Sequence, residues 1–225
     1  MAIGRRTVPL ARSGLDSLPA GCRGCARWEL DPLSAARAAA AGTTAQMKRD
    51  WWQNTLGTGT GGGVLARIDQ RTVGYATWSL PQQAGGGSAT ATGPVSPDAV
   101  LLMALRVEPD HRGTGLGRWL VQAVLRQVLH QPGDGRGARA VEVFGNRLAS
   151  RDGAGCCLAP TGFWVACGFD VVREHPFTPR LRLDVRRLAT WRADVRADVE
   201  EAWVRLRGAV RPPPAPAPVP ARRGT

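Results

Sequence analysis

A mixed α/β domain is predicted from three runs of this chain. Residues 100–107, Val-Leu-Leu-Met-Ala-Leu-Arg-Val, are an apolar stretch of strand length, and Arg112-Gly113-Thr114-Gly115-Leu116-Gly117 follows as a tight turn. An amphipathic helix comes next, with Leu116, Leu120, Val124 and Val128 at helical spacing and Val121 and Leu125 beside them. Further strand and helix patterns lie on either side of this unit.

In chain order, Arg6 to Leu10 reads as a first strand. Pro32 to about Leu56 has helical character, Ala-rich with Trp51-Trp52 near its end, and the glycine run from Gly57 to Gly63 breaks it. Val64–Ile68 and Thr72–Ser79 flank the turn Asp69-Gln70-Arg71 as a hairpin. Pro81 to Pro97, rich in Gly, Ala, Ser and Thr, reads as an unstructured insertion or as a loop over an acceptor site. After the central unit, Pro132 and Gly133 stop the helix, and Arg139–Phe144 alternates as the next strand. Phe163–Phe169 is a helix ending in Gly-Phe, followed by closing strands at Asp170–Arg173 and Arg180–Val185. Trp191–Val210 carries Trp191, Val195, Val199, Trp203 and Leu206 along one side, a helix suited to capping the domain or to forming a homodimer. The tail from Arg211 is Pro/Ala-rich, extended and disordered. The expected organisation is one domain over residues 1–189, a helix over 190–210 and a tail over 211–225.

The turn from Arg112 to Gly117 is a phosphate-binding candidate. The first amides of a helix lack intrahelical partners and carry partial positive charge. Gly113, Gly115 and Gly117 have no Cβ to hold a ligand off the backbone, and Arg112 adds a charged donor at the lip. A Walker-type loop needs Lys and then Ser or Thr after its last glycine, but Gly117 is followed by Arg118 and Trp119, which excludes an ATPase of that type. A dinucleotide fingerprint needs a third glycine where Leu120 or Arg118 stands, so NAD is disfavoured.

What remains is Arg-x-x-Gly-x-Gly after a strand ending Leu-x-Val-x-Pro, and with Arg139–Phe144 and the Gly-Phe helix in order downstream, residues 64–185 resemble the GNAT N-acetyltransferase superfamily. The resemblance implies a mostly antiparallel twisted sheet with splayed middle strands and flanking helices. It implies a bulged strand whose backbone at Leu105, Arg106 and Val107 pairs with the pantetheine arm of acetyl-CoA, and a turn, Arg112, Gly113, Thr114, Gly115, Leu116 and Gly117, that holds its pyrophosphate. It implies, as partner, an amine-bearing acceptor, a small molecule or a protein. Members often place a Tyr acid on the later helix; here Trp164 occupies that position, and the chain's one tyrosine is Tyr75. That departure keeps a non-catalytic acyl-CoA-binding module as the alternative.

For the proton acceptor, Glu142 leads because it lies on the strand beside the cofactor cleft, opposite in alternation to Val141 and Val143. The plainer expectation is that it faces solvent or pairs with an arginine. Asp98, Glu108 and His111 are poorer candidates.

The chain's 225 residues suffice for a sizeable core. No apolar run reaches membrane length and the start lacks a secretory core, so a cytoplasmic protein is expected. The net charge of +12 comes from arginines dispersed over nearly every element, with Lys48 the only lysine. No basic stripe interleaved with aromatics appears, so no specific nucleic-acid partner is expected. Cys22-x-x-Cys25 has the spacing of a metal knuckle, and Cys156-Cys157 would supply two more thiolates, but adjacent cysteines rarely serve one centre. No metal is expected. The run from Cys22 to Glu29 is also similar to members of the superfamily from high-GC bacteria.

Overall fold

The structure, a computed structural model, describes residues 4–130, 138–148 and 158–184. Seven strands form one sheet in the order β1-β2-β3-β4-β5-β7-β6: β1 Arg5–Pro9, β2 Gly61–Ile68, β3 Arg71–Ser79, β4 Ala99–Val107, β5 Ala140–Phe144, β6 Asp170–Arg173 and β7 Arg180–Asp184. Every neighbouring pair is antiparallel except β4 and β5. Among the described residues six α-helices accompany it: α1 Ala20–Arg23, α2 Pro32–Ala40, α3 Thr44–Thr58, α4 Gly85–Ser88, α5 Leu116–Leu129 and α6 Thr161–Ala166. The mostly antiparallel mixed α/β sheet matches the sequence expectation.

The two faces of the sheet carry different covers. On one, α5 packs across β2, β3 and β4, burying Leu120, Val121 and Val124 completely. On the other, Leu65, Tyr75, Leu101, Met103 and Phe144 form a core with Trp28, Trp52, Ala84 and Val95, and Trp28 stacks on Phe144 at 5.8 Å. Burial of such aromatic and aliphatic side chains stabilises by about 1.5–3 kcal/mol each.

Three sequence expectations are corrected. The helix over 32–56 is two helices, because Gly42 turns left-handed at φ 67° between α2 and α3. Asp31 starts α2 by accepting from the Leu33 and Ser34 amides, with Pro32 at the first helical position. The glycine run does not merely break the chain: α3 reaches Thr58, Gly59 caps it at φ 68°, and Gly61 to Gly63 are buried in β2. There a Cβ on Gly61 would come within 2.5 Å of the Thr55 side chain. The insertion 81–97 is structured. It contains α4, buries Ala84, Gly87, Thr92 and Val95, and accepts a bond from Trp51 Nε1 at Gln83 C=O, 3.0 Å. A Cβ on Gly86 would stand 1.7 Å from the Arg27 carbonyl oxygen, so only glycine lets this segment lie against residues 27–31. Gly86→Ala is expected to cost about 3 kcal/mol, read as a lowered urea midpoint, because backbone rather than a flexible side chain must move.

The expected stop at Pro132 and Gly133, the helix over 190–210 and the tail over 211–225 lie outside the described residues. Among the described residues no helix is long and apolar enough to cross a membrane.

Candidate functional site

The site starts where two strands part. β4 and β5 pair only at Ala99 with Ala140, Val100 with Val141 and Leu101 with Glu142, although β4 runs on to Val107 and β5 to Phe144. A bulge turns β4 at that point. Thr77 of β3 faces Ala104 while Trp78 faces Leu102, leaving Met103 as the extra residue, and Met103 and Ala104 both fall on the same core face. Beyond the bulge, Leu105, Arg106 and Val107 keep their pairing with Ala76, Tyr75 and Gly74 on one side. On the other side their strand has separated from β5, so alternate peptide groups point into a wedge-shaped gap.

The chain then turns at the mouth of the gap. Pro109–His111 makes one 3-10 turn, and Gly113 (φ 74°) and Gly115 (φ 79°) are both left-handed, the conformation their lack of a Cβ permits. A Cβ on either would meet nothing within 4 Å, so this backbone is open to approach. Gly115 caps α5, whose first intrahelical bond runs from Trp119 N–H to Gly115 C=O, which leaves the Leu116 and Gly117 amides ahead of the ladder. No acidic residue occupies that first turn. Arg112 Nε donates to Val107 C=O at 3.2 Å and Thr114 Oγ1 to His111 C=O at 2.8 Å, bracing the loop internally. Such a loop and helix start can hold a diphosphate.

Glu142 sits at the last paired position, at the apex of the gap. It is 0% exposed and makes three polar contacts: Arg182 Nη1 at 3.1 Å, Arg180 Nη1 at 3.5 Å and the Ser96 N–H at 3.1 Å. Arg182 also grips Asp98 through two bonds of 2.8 and 3.0 Å, and Arg180 donates to Pro94 C=O. The carboxylate thus fastens the end of the insertion, residues 94–98, to β7. A proton acceptor for an amine needs a lone pair facing the gap, and this one is engaged from three directions. The expectation of arginine pairing therefore fits the geometry better than that of a free base.

Asp98, one of the poorer candidates for the proton acceptor, belongs to the same network. Its bond from Arg182 holds its carboxyl below the ordinary 3.8, and Arg182 is correspondingly raised. A carboxyl with a depressed folded pKa contributes stability above its unfolded pKa and loses it as pH falls through the folded value. Asp98→Asn is accordingly expected to lower the urea midpoint at pH 7, the difference shrinking below pH ~4.

Glu108 lies beside the turn, 3.6 Å from Arg106 Nε, and His111 ends the 3-10 turn. Tyr75 is a core residue on β3, 4% exposed. Trp164 is buried on α6, and Cys167, after it, has its thiol pushed up to about 11 by burial, so it stays protonated near neutrality and is no nucleophile. Cys22 and Cys25 are half-buried, and among the described residues no group of three or more His, Cys, Asp or Glu is placed to hold a metal. Cys156 and Cys157 lie outside the described residues.

Sequence reasoning found the turn and β4, whose signals are local. It missed Arg180, Arg182 and Ser96 as partners of Glu142. Their one available signal was the pair of arginines at alternate positions of a strand.

Among curated proteins nothing matches. Among the solved structures that share the fold are the PaiA N-acetyltransferase of Thermoplasma acidophilum in complex with coenzyme A, 10% identical with TM-score 0.51, aligned over 81% of this chain and 99% of that one, and YncA of Salmonella typhimurium with acetyl-CoA, 11% identical with TM-score 0.52, over 81% and 94%. The Acetyltransferase (GNAT) family model matches residues 25–152, which span the parted strands, the bulge and the glycine turn described above. By that match the chain belongs to the GNAT acetyltransferase family.

Proposed function

We propose that this protein transfers the acetyl group of acetyl-CoA to a primary amine. The observation that carries this reading is the coincidence, around β4 and the turn that follows it, of a parallel pairing with β5 that parts after three residues, a bulge in β4 and an open glycine turn onto a helix. Each part matches one part of the ligand. Two left-handed glycines without steric cover suit the diphosphate, with Arg112 at the lip, and the separated edge of β4 at Leu105, Arg106 and Val107 suits the amides of a pantetheine arm, which would join the sheet like an added strand.

When bound, acetyl-CoA supplies an activated acyl carbon. The chain's contribution is to hold it beside the amine: β4 fixes the arm, the turn fixes the diphosphate, and the insertion, fastened by Glu142, walls the apex. Holding reactants in this way supplies much of the rate enhancement of a group transfer. In this reading Glu142 is a positioning residue, since acting as base would require breaking its contacts to Arg180, Arg182 and Ser96.

The test is calorimetric titration with acetyl-CoA followed by a panel of primary amines, with release of free thiol as readout. Binding with amine-dependent thiol release is expected. Binding without release for any amine would favour a non-catalytic acyl-CoA-binding module, the reading that the absent tyrosine acid supports.

A further inference from the structure

Arg106 is the one charged residue of β4, an otherwise apolar strand, and it stands on the stretch that has parted from β5. Residues paired across neighbouring strands share a face of the sheet, so its register opposite Tyr75 puts its side chain on the face of Tyr75 and Ala104. Phe144, the last residue of β5, lies on that same face across the gap, with Trp28 stacked on it. Val107 points the other way. It pairs with Gly74, where an added Cβ would meet Leu120 of α5 at 3.1 Å, and its own Cγ2 lies 3.9 Å from where a Cβ on Gly117 would stand. The start of α5 therefore covers one face of the parted strands, and Arg106 stands on the opposite face.

Its guanidinium is loosely held. The nearest acid, Glu108, is 3.6 Å from Nε, beyond hydrogen-bond length, and Nε is shut off from solvent with no acceptor among the described residues. About a third of the side chain, 32%, is exposed. Other arginines nearby are committed: Arg112 Nε donates to Val107 C=O, Arg173 and Arg180 to the Gly93 and Pro94 carbonyls, and Arg182 to Asp98 and Glu142. A guanidinium on an apolar strand, partly stripped of water and short of acceptors, is stabilised by a carboxylate that a ligand brings. The cofactor's diphosphate suits the turn and helix start on the α5 side, so an anion on the Arg106 face comes with the acceptor.

We propose that Arg106 selects the acceptor, its guanidinium pairing with the carboxylate of a molecule that carries both a primary amine and an acid group. This rests on the reading that acetyl-CoA occupies the gap and gives up its acetyl group there. Glu108 lies on the Nε side, which leaves the two terminal nitrogens, Nη1 and Nη2, as the fork that a carboxylate takes in a bidentate pair. One strand then serves both reactants: the backbone edge of β4 borders the arm of the cofactor, and the Arg106 side chain fixes the amine-bearing partner on the far face. The net charge of +12 draws an acid-bearing acceptor toward this surface.

The experiment measures acetyl-CoA-dependent thiol release with primary amines in matched pairs that differ only in charge. Free amino acids and ω-amino carboxylic acids are set against their amides, and short peptides with Asp or Glu beside the free amino terminus are set against the same peptides with Asn or Gln, so that the two arms separate a small acceptor from a peptide. In the wild-type protein the acid member of the best pair is expected to have the higher kcat/KM by about 10- to 100-fold. In Arg106→Gln that preference is expected to collapse through a raised KM for the acid member, with acetyl-CoA affinity by calorimetry and the urea midpoint unchanged, and Arg106→Lys, which keeps the charge without the fork, is expected to restore part of it. Equal or better turnover of the neutral members by the wild-type protein, which needs no variant to fold, overturns the role of Arg106 and leaves the transfer standing. A preference for acids that survives in folded Arg106→Gln also overturns it, as does a loss confined to acetyl-CoA affinity. Binding of acetyl-CoA with no thiol release for any pair overturns the transfer and the role together.

Discussion

Gly115→Val is expected to reduce affinity for coenzyme A by about a hundredfold while leaving the protein folded. Gly115 is left-handed at φ 79° and caps α5, and a side chain there enters the open space in front of the Leu116 and Gly117 amides. A β-branched residue held in that conformation costs about 1–2 kcal/mol of strain, which a domain of this size tolerates. Should the backbone relax instead, the amides lose their common direction, and binding falls by that route too. Calorimetry gives the affinity and a urea transition gives the folding term, so the two effects separate cleanly. Affinity within a few-fold of wild type would mean that the diphosphate lies elsewhere.

The second large effect is expected at Glu142. Removing its carboxylate by Glu142→Ala leaves Arg180 and Arg182 facing a cavity and frees the Ser96 amide, an expected loss of about 3 kcal/mol. That figure is at the low end for a buried pair because both arginine side chains keep some contact with water, 14% and 22% exposed. Glu142→Gln keeps an oxygen for Ser96 or one arginine and is expected to lose about 1–2 kcal/mol. The pair of variants discriminates between roles. A positioning carboxylate predicts that Glu142→Gln retains most of the turnover with an unchanged pH profile, whereas loss of a general base lowers the rate by about 10²–10⁴ and abolishes one limb of that profile.

The contrast between these two sites shows what was legible in the sequence. Gly113 and Gly115 announce themselves because a left-handed turn before an amphipathic run restricts residue type locally, and the same locality made the hairpin at Asp69-Gln70 readable, where both residues have positive φ. Strand β4 was plain from its apolar run, but its bulge was not: an extra residue at Met103 is defined only by counting against β3, some 25 positions away in sequence. Glu142 was correctly placed on β5, yet alternation says only which side a residue faces. Its partners come from β7 and the insertion, brought together by sheet order, which no local pattern encodes. The insertion itself misled because Gly, Ala and Ser are typical of loose linkers, whereas here small residues are what permits close packing against residues 27–31 and Leu101.

The proposed function depends above all on the backbone of residues 112–117 holding a diphosphate. Its most direct test is to follow the Gly113, Thr114, Gly115, Leu116 and Gly117 amides by two-dimensional NMR during titration with coenzyme A and, separately, with pantetheine, which carries the same arm without the diphosphate. These amides are expected to shift to saturation with coenzyme A and to stay in place with pantetheine; amides that stay unmoved at saturating coenzyme A, or that respond equally to both, would mean that this backbone holds no diphosphate.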